Sequence, residues 1–435
     1  MINKRLISIS ALLICFFSLV EAQGFSNFFT DQSCRVDLTF AGNHSSTEVF
    51  LDKVHRESFW GGPKRLLTED FVAGDFRFQV IDSASNKLIY RDGFNTLFRE
   101  WQTTSEATRI NRSFENTVLF PFPLATVELR VDKRTGYDKW EQLMSVFINP
   151  GDLLIRQRPA PRVPVKVIRM SAEPHLAVDV AIIAEGYTKK EMKLFYREAA
   201  RLASYLCSHE PFMSYANKFN FYAIAAPSDD PDVSRPEEHR WKNTALGSHY
   251  YTFYSPRYLT SPEHYRIRDI ASAVPYDAIY ILANTDEYGG GGIYNFYALT
   301  SARGRTAREV TVHEFGHSFA GLADEYFYEQ GDVLDGTYST SEEPWEPNIT
   351  TMVRFDTKWL AALPDGTEIP TALPEDEEGL KSTSELGVYE GAGYKTKGIY
   401  RPTPDCRMKT NAADSFCPVC SEAVKQRILM LTQSE

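Results

Sequence analysis

The sequence predicts a multi-domain chain, with an all-β, sandwich-like N-terminal domain followed by an α/β C-terminal domain. Three observations predict it. Short runs of alternating polarity recur through residues 24–158. The stretch Arg156-Gln157-Arg158-Pro159-Ala160-Pro161-Arg162-Val163-Pro164 then places three prolines in six residues, a stiff and extended connector. Within residues 165–435 the pattern changes: Val178–Ile183 is a continuous apolar run, as a central strand requires, and an amphipathic helix follows it.

Residues 1–22 read as a secretory signal peptide. Lys4 and Arg5 form a basic start, Ile7–Val20 an apolar stretch, and Val20-Glu21-Ala22 a small-residue cleavage site before Gln23. The stretch is short for a spanning helix, and Ile14 before Cys15 is not the small residue that a lipid-anchoring signal wants. The expectation is an exported chain of 413 residues (435 less 22) with no membrane span, in the periplasm, on the cell surface or secreted. That is too long for one ordinary core. With 58 acidic side chains against 47 basic ones, the balance argues against a nucleic-acid partner, which calls for basic patches. Sequence leaves the oligomeric state open.

In the front domain the strand-like runs are Cys34–Phe40, Glu48–Leu51, Phe76–Ile81, Lys87–Tyr90 and Thr126–Val131. Turn signals such as Ala41-Gly42-Asn43-His44 and Asp92-Gly93 separate them. Regularly spaced short strands predict a sandwich. No cluster of metal ligands or nucleophiles stands out, so this domain reads as accessory.

In the second domain Lys189–Ser208 carries Met192, Phe195, Ala199, Leu202, Ala203 and Leu206 at helical spacing. Strands are expected at Phe219–Ala226 and Tyr276–Ala283. The glycine run 289–292 leads into Ile293–Thr300, read as an edge strand. An edge carries unpaired backbone groups, so an extended peptide can add to it as a further strand. Gly291, Gly292, Ile293 and Tyr294 are therefore the candidate substrate-binding residues, with Gly290–Gly292 letting backbone approach backbone. A flexible loop is the plainer alternative.

The most informative stretch is His313-Glu314-Phe315-Gly316-His317, followed by Gly321 and Asp324. On a helix, positions four apart share a face, so two imidazoles at 313 and 317 can grip one metal ion. Glu314 is placed to act as general base without being a ligand. Thr306 with Glu309 suggests a capping box at the helix start, and Gly321 a left-handed stop. The turn after Gly321 would bring round a third ligand: Asp324, with the adjacent Glu325 as runner-up. The implied cofactor is one catalytic Zn2+, which acidifies a water and polarises a scissile carbonyl. Tyr326, Phe327 and Tyr328 would line the site or pack beneath it. Tyr294, Tyr297, Tyr394 and Tyr400 are all candidate oxyanion donors.

Cleavage of the signal leaves Cys34, Cys207, Cys406, Cys417 and Cys420, an odd number. The cluster of three near the C-terminus can be a disulfide staple, a structural metal site or a redox pair; a disulfide pinning this segment is the expectation, its pairing open. His239, His249 and His264 read as surface or packing residues. Arg235-Pro236-Glu237-Glu238 reads as a solvated loop and Glu375-Asp376-Glu377-Glu378 as an acidic turn.

The segment His313-Glu314-Phe315-Gly316-His317-Ser318-Phe319-Ala320-Gly321-Leu322-Ala323-Asp324-Glu325-Tyr326 closely resembles the motif of the immunoglobulin A peptidase family, metzincin-like zinc endopeptidases of bacteria. Tyr400-Arg401-Pro402, Asp405-Cys406-Arg407-Met408 and Phe416-Cys417-Pro418-Val419-Cys420 resemble the family's other characteristic segment, and Ala184-Glu185-Gly186-Tyr187 extends the match. The front domain is similar to the β-domain that accompanies this family in gut-type bacteria. The resemblance implies a metzincin-like peptidase domain with Met408 in a methionine turn beneath the metal. Compared with the usual metzincin pattern, the glycine lies one residue later and the third ligand is Asp. Cleavage of immunoglobulin or other host glycoproteins is implied by resemblance alone.

The leading expectation is thus a secreted zinc endopeptidase acting on protein or peptide substrates. The alternatives are a catalytically silent binding or adhesion protein and a zinc exopeptidase.

Overall fold

The computed structural model describes residues 22–68, 71–328 and 336–432. The signal-peptide reading of residues 1–22 therefore lies, but for Ala22, outside the described residues. Among these, no helix is long and apolar enough to cross a membrane.

The front half is built from β1 (Phe29–Asn43), β2 (Ser46–Glu57), β3 (Phe76–Asp82), β4 (Lys87–Phe94), β5 (Arg112–Pro123), β6 (Val127–Gly136), β7 (Lys139–Ile148) and β8 (Arg156–Arg158). They form two four-stranded sheets, β5-β1-β2-β8 and β4-β3-β6-β7. Val36, Leu38, Phe40 and Phe120 from one sheet meet Phe76, Phe78, Val80 and Leu129 from the other in a single core. Four of the five expected strand runs fall within strands, and the fifth, Thr126–Val131, starts one residue before β6. β5 was not anticipated, since Pro121 and Pro123 end it; prolines are tolerated there because β5 is an edge. Asp92-Gly93 is not a turn but the end of β4. Glycine is needed there for another reason: a Cβ on Gly93 would sit 1.7 Å from the Ala73 carbonyl oxygen, which crosses the strand.

The second half contains β9 (Val165–Arg169), β10 (Val178–Glu185), β11 (Phe219–Ile224), β12 (Ala278–Ala283), β13 (Gly290–Ile293) and β14 (Tyr297–Ser301). These make one sheet of order β13-β14-β12-β10-β11-β9. β11, β10, β12 and β14 run parallel, flanked by antiparallel β13 and β9. Strand β10 is buried along its whole length and alternates between two cores. Val178, Val180 and Ile182 face the helices Met192–Cys207, Ala307–Ala320 and Pro418–Leu431, while Ala181 and Ile183 face the helix His264–Ala271 and the front half. A separate hairpin, β15 (Tyr389–Ala392) and β16 (Lys395–Arg401), precedes the C-terminal helix.

The expected edge strand is corrected in one respect. Ile293–Thr300 is not a single strand: Asn295 takes a left-handed φ of 54° and reverses the chain. The glycines themselves form the edge, β13, and Tyr297–Ser301 is an inner strand beside it. Asparagine enters the left-handed region more readily than most residues, and that signal was hidden within an apolar run.

The two halves are joined by polar contacts. Arg35 bonds Asp269 at 2.6 Å, Arg268 donates to Thr117 at 2.9 Å, and Asn295 donates to Asp92 at 2.9 Å.

Candidate active site

The helix Ala307–Ala320 ends at Gly321, whose φ of 64° is one that glycine adopts without steric cost. The expected capping box is absent. Thr306 has ψ 26°, outside the extended region a capping hydroxyl needs, and its side chain makes no cap bond.

Four residues apart on this helix, His313 and His317 bring their Nε2 atoms within 3.0 Å of each other. Each ring is anchored by its other nitrogen: His313 Nδ1 to the Arg407 carbonyl at 3.0 Å, and His317 Nδ1 to the Leu322 carbonyl at 2.6 Å. A carbonyl only accepts, so both Nδ1 atoms carry protons and both Nε2 atoms turn inward, each offering a lone pair when its ring is neutral. Asp324 Oδ1 joins them at 3.0 and 3.2 Å. Three electron-rich atoms facing one another repel unless a cation lies among them. The donor set therefore fits a metal ion, and these residues can hold one. In the metal-free chain a proton does this service. His317 is pushed up to about 9, burial being outweighed by the neighbouring Asp324. Asp324, despite burial, is held well below the usual carboxylate range by His317 and His313.

Asp324 and Glu325 point to opposite sides of the chain. Asp324 faces the imidazoles, and Tyr394 Oη donates to its Oδ2 at 2.6 Å. Glu325 is fully buried among Cys406, Cys417 and Cys420 and lies away from the histidines. Asn348 holds the turn between them. It accepts from Ala323 N at 2.8 Å and donates to the Ala323 carbonyl at 2.9 Å and to Glu325 Oε1 at 2.8 Å. Met408 is fully buried beneath the helix, its Sδ 3.0 Å from where a Cβ on Gly316 would lie, and its carbonyl accepts from Glu325 N at 2.9 Å.

Glu314 faces the same space as the two histidines, and burial pushes its carboxyl above the ordinary range. Strand β13 lies directly on this helix turn. A Cβ on Gly290 would come 2.6 Å from Glu314 Oε1, and one on Gly292 would come 2.5 Å from the Glu314 carbonyl oxygen. Of the candidate substrate-binding residues, Gly291, Gly292 and Tyr294 line the cavity, while Ile293 is buried in the sheet's other core. The Gly290 carbonyl already accepts from Leu259 N at 3.2 Å, so that end of the edge is covered. Gly292→Ala is expected to lift the strand and cost about 1–3 kcal/mol of stability, as overpacking does; an unchanged denaturation midpoint would contradict this close approach.

The cavity, about 710 Å³, is lined from both halves of the chain. Asp75, Arg99, Glu100 and Arg134 come from the front half, so that domain, read from sequence as merely accessory, supplies one wall. Trp345 Nε1 donates to Asp75 Oδ1 at 3.2 Å, and Tyr258 Oη donates to Glu100. Burial pushes Glu100 up to about 7, against the pull of Tyr258. A carboxyl with a raised folded-state pKa binds more protons folded than unfolded. Its contribution to stability is full below its ordinary value and is lost as pH climbs through about 7. Glu100→Gln should flatten that loss, on the order of 1–2 kcal/mol allowing for partial exposure to the cleft. Thermal melts between pH 5 and 8 would read it, and parallel curves for both proteins would refute it.

Of the tyrosines considered as oxyanion donors, Tyr297 is tied to Ser261, Tyr394 binds Asp324, and Tyr294 packs on Trp345 with ring centres 5.2 Å apart. Tyr400 lies outside the cavity lining, whereas Tyr326, Phe327 and Tyr328 all line it. His264 is buried against Phe296, and neither His239 nor His249 lines the cavity. Arg235 corrects the solvated-loop reading: it is largely buried and donates to Thr285 at 2.9 Å. The expected disulfide is not formed. Cys34, Cys207, Cys406, Cys417 and Cys420 are all free, and Cys406 and Cys420 hold their sulfurs 3.8 Å apart. Sequence reasoning missed Asn348, Glu100 and Tyr258. A buried asparagine or glutamate carries no local signal, and these three act across long stretches of chain.

A helix-borne pair of imidazoles, a carboxylate returned by a glycine turn and a second carboxylate beside them, all in a cleft, suit a hydrolase. The chain belongs to the IgA peptidase M64 family, whose profile matches residues 167–383 and 377–428, and the Peptidase M64 N-terminus profile matches residues 24–145. It is accordingly a peptidase. No curated protein matches the chain.

Proposed function

We propose that the protein is an exported zinc endopeptidase that cleaves within polypeptide chains. The observation that carries this reading is the convergence of His313 Nε2, His317 Nε2 and Asp324 Oδ1 beside Glu314, in a cleft bordered by a sheet edge. Nitrogen and oxygen donors on three residues, with room left on the cavity side, suit zinc in a catalytic role. When bound there, zinc supplies the Lewis acidity that polarises a scissile carbonyl and makes a water acidic at neutral pH.

The chain's own residues do the rest. Glu314, its proton affinity raised by burial, accepts a proton from the attacking water and delivers it to the leaving amine. Asp324 neutralises part of the cation's charge, and Tyr394 fixes the carboxylate's orientation. The Arg407 and Leu322 carbonyls keep both imidazoles in the tautomer that leaves Nε2 free. The backbone at Gly291 and Gly292 takes the substrate as an added strand, while the front-half wall with Arg99, Glu100 and Arg134 meets its side chains.

The test is digestion of an end-blocked, proteome-derived peptide library by zinc-loaded protein, with Glu314→Ala as control. Internal cuts that vanish in the control support the endopeptidase reading. Cuts seen only when the N-terminus is unblocked would replace it with an aminopeptidase. No cuts from folded, zinc-bound protein would shift the reading to a binding protein.

A further inference from the structure

We propose that Glu325, Cys406, Cys417 and Cys420 form a second, structural metal site that takes one zinc ion in a three-thiolate, one-carboxylate set.

The four side chains come from three separated parts of the chain and are all fully buried. One ligand atom from each lies within 4.8 Å of every other. In a tetrahedral site with zinc–sulfur bonds of about 2.3 Å, neighbouring sulfurs stand about 3.8 Å apart. Cys406 and Cys420 are separated by 3.8 Å, and Cys420 Sγ lies 3.1 Å from Glu325 Oε1. A disulfide needs sulfurs about 2.05 Å apart, so the present spacing suits a shared ion and not a bond.

Two further observations point to a ligand. Glu325 Oε2 is buried with no hydrogen-bond partner, a costly state for a carboxylate oxygen that a metal would relieve. Backbone amides also point at the sulfurs: Cys417 N donates to Cys406 Sγ at 3.2 Å, Met408 N to the same sulfur at 3.5 Å, and Cys420 N to Cys417 Sγ at 3.4 Å. Such bonds favour thiolate over thiol. Cys417 is moreover the N-cap of the helix Pro418–Leu431, where the helix field favours negative charge. Loading forms three Zn–S bonds and one Zn–O bond, and the displaced thiol and carboxyl protons go to water. Three thiolates and a carboxylate around one dication leave an excess of two negative charges. Arg401 and Lys409, both in electrostatic reach of Glu325, offset it.

The two sites share a chain segment. Asp324 serves one and Glu325 the other, and Cys406 lies one residue before the Arg407 carbonyl that orients His313. The second ion would clamp Glu325 and the Cys406–Met408 turn to the C-terminal helix. It would thereby hold two elements of the histidine site in place.

The experiment is elemental analysis of the full chain purified with zinc under reducing conditions, together with cobalt substitution. The expected result is two zinc ions per chain, one lost in His317→Ala and the other lost in Cys417→Ser and Glu325→Gln. Cys207→Ser, a thiol outside the cluster, should keep both. Cobalt should add a sulfur-to-metal charge-transfer band that persists in His317→Ala, a readout that needs no cluster variant to fold. The proposal is overturned by a single zinc that disappears in His317→Ala, by cobalt bound without that band, or by a Cys406 disulfide found in the zinc-replete protein.

Discussion

Glu314→Gln should leave metal content and fold intact and lower kcat by about 10²- to 10⁴-fold, the range that general acid–base catalysis contributes. The substitution keeps the side chain's size against Gly290, so β13 need not move. It removes only the capacity to take a proton. On the proposed mechanism the group moves a proton in the transition state and holds no substrate in the ground state, so KM should change little. Steady-state kinetics on a peptide found by library digestion, with zinc measured on the same preparation, would decide the matter. A variant retaining more than about a tenth of wild-type kcat would exclude Glu314 as the base.

Asp324→Ala should abolish activity by a different route, through loss of the ion. Removing partners that merely orient a ligand costs about 10- to 100-fold in metal affinity, so removing a ligand should cost more. Chelator competition would measure it. The same change also removes the carboxylate that raises His317 to about 9. In the metal-free wild type, zinc must displace that proton, so apparent affinity should rise with pH until about 9. In the variant His317 titrates lower, because burial is then opposed only by Glu314 and the Leu322 carbonyl, and the rise should end at lower pH. Affinity equal to wild type would assign the third ligand elsewhere.

The parts of the site legible in the sequence are those written locally. The His313–His317 spacing, the stop at Gly321 and the offset to Asp324 are all set within a few residues, where helical period and glycine's freedom act. Strand β10 was legible for the same reason: a continuous apolar run between turn signals has few other uses. What escaped notice depends on distant partners. Nothing near Glu100 says that Tyr258, 158 residues later, will bond to it. The Cys406–Cys417–Cys420 spacing does not distinguish a disulfide from a site completed by Glu325, which lies far earlier in the chain. Asn295 misled in the opposite way, as a turn residue camouflaged by apolar neighbours. Asp92-Gly93 resembled a turn, although its glycine answers to the Ala73 carbonyl.

The cleft's residues come from widely separated parts of the chain. Trp345 reaches back 270 residues to Asp75, and the carbonyl that orients His313 lies 94 residues after it, at Arg407. Contacts of such span form late, because the loops they close must be paid for in entropy first. A chain emerging from the ribosome therefore carries His313 for 94 residues before the carbonyl that anchors it is made. The candidate site is complete only once the Arg407 segment has followed, a delay written into the order of the sequence itself.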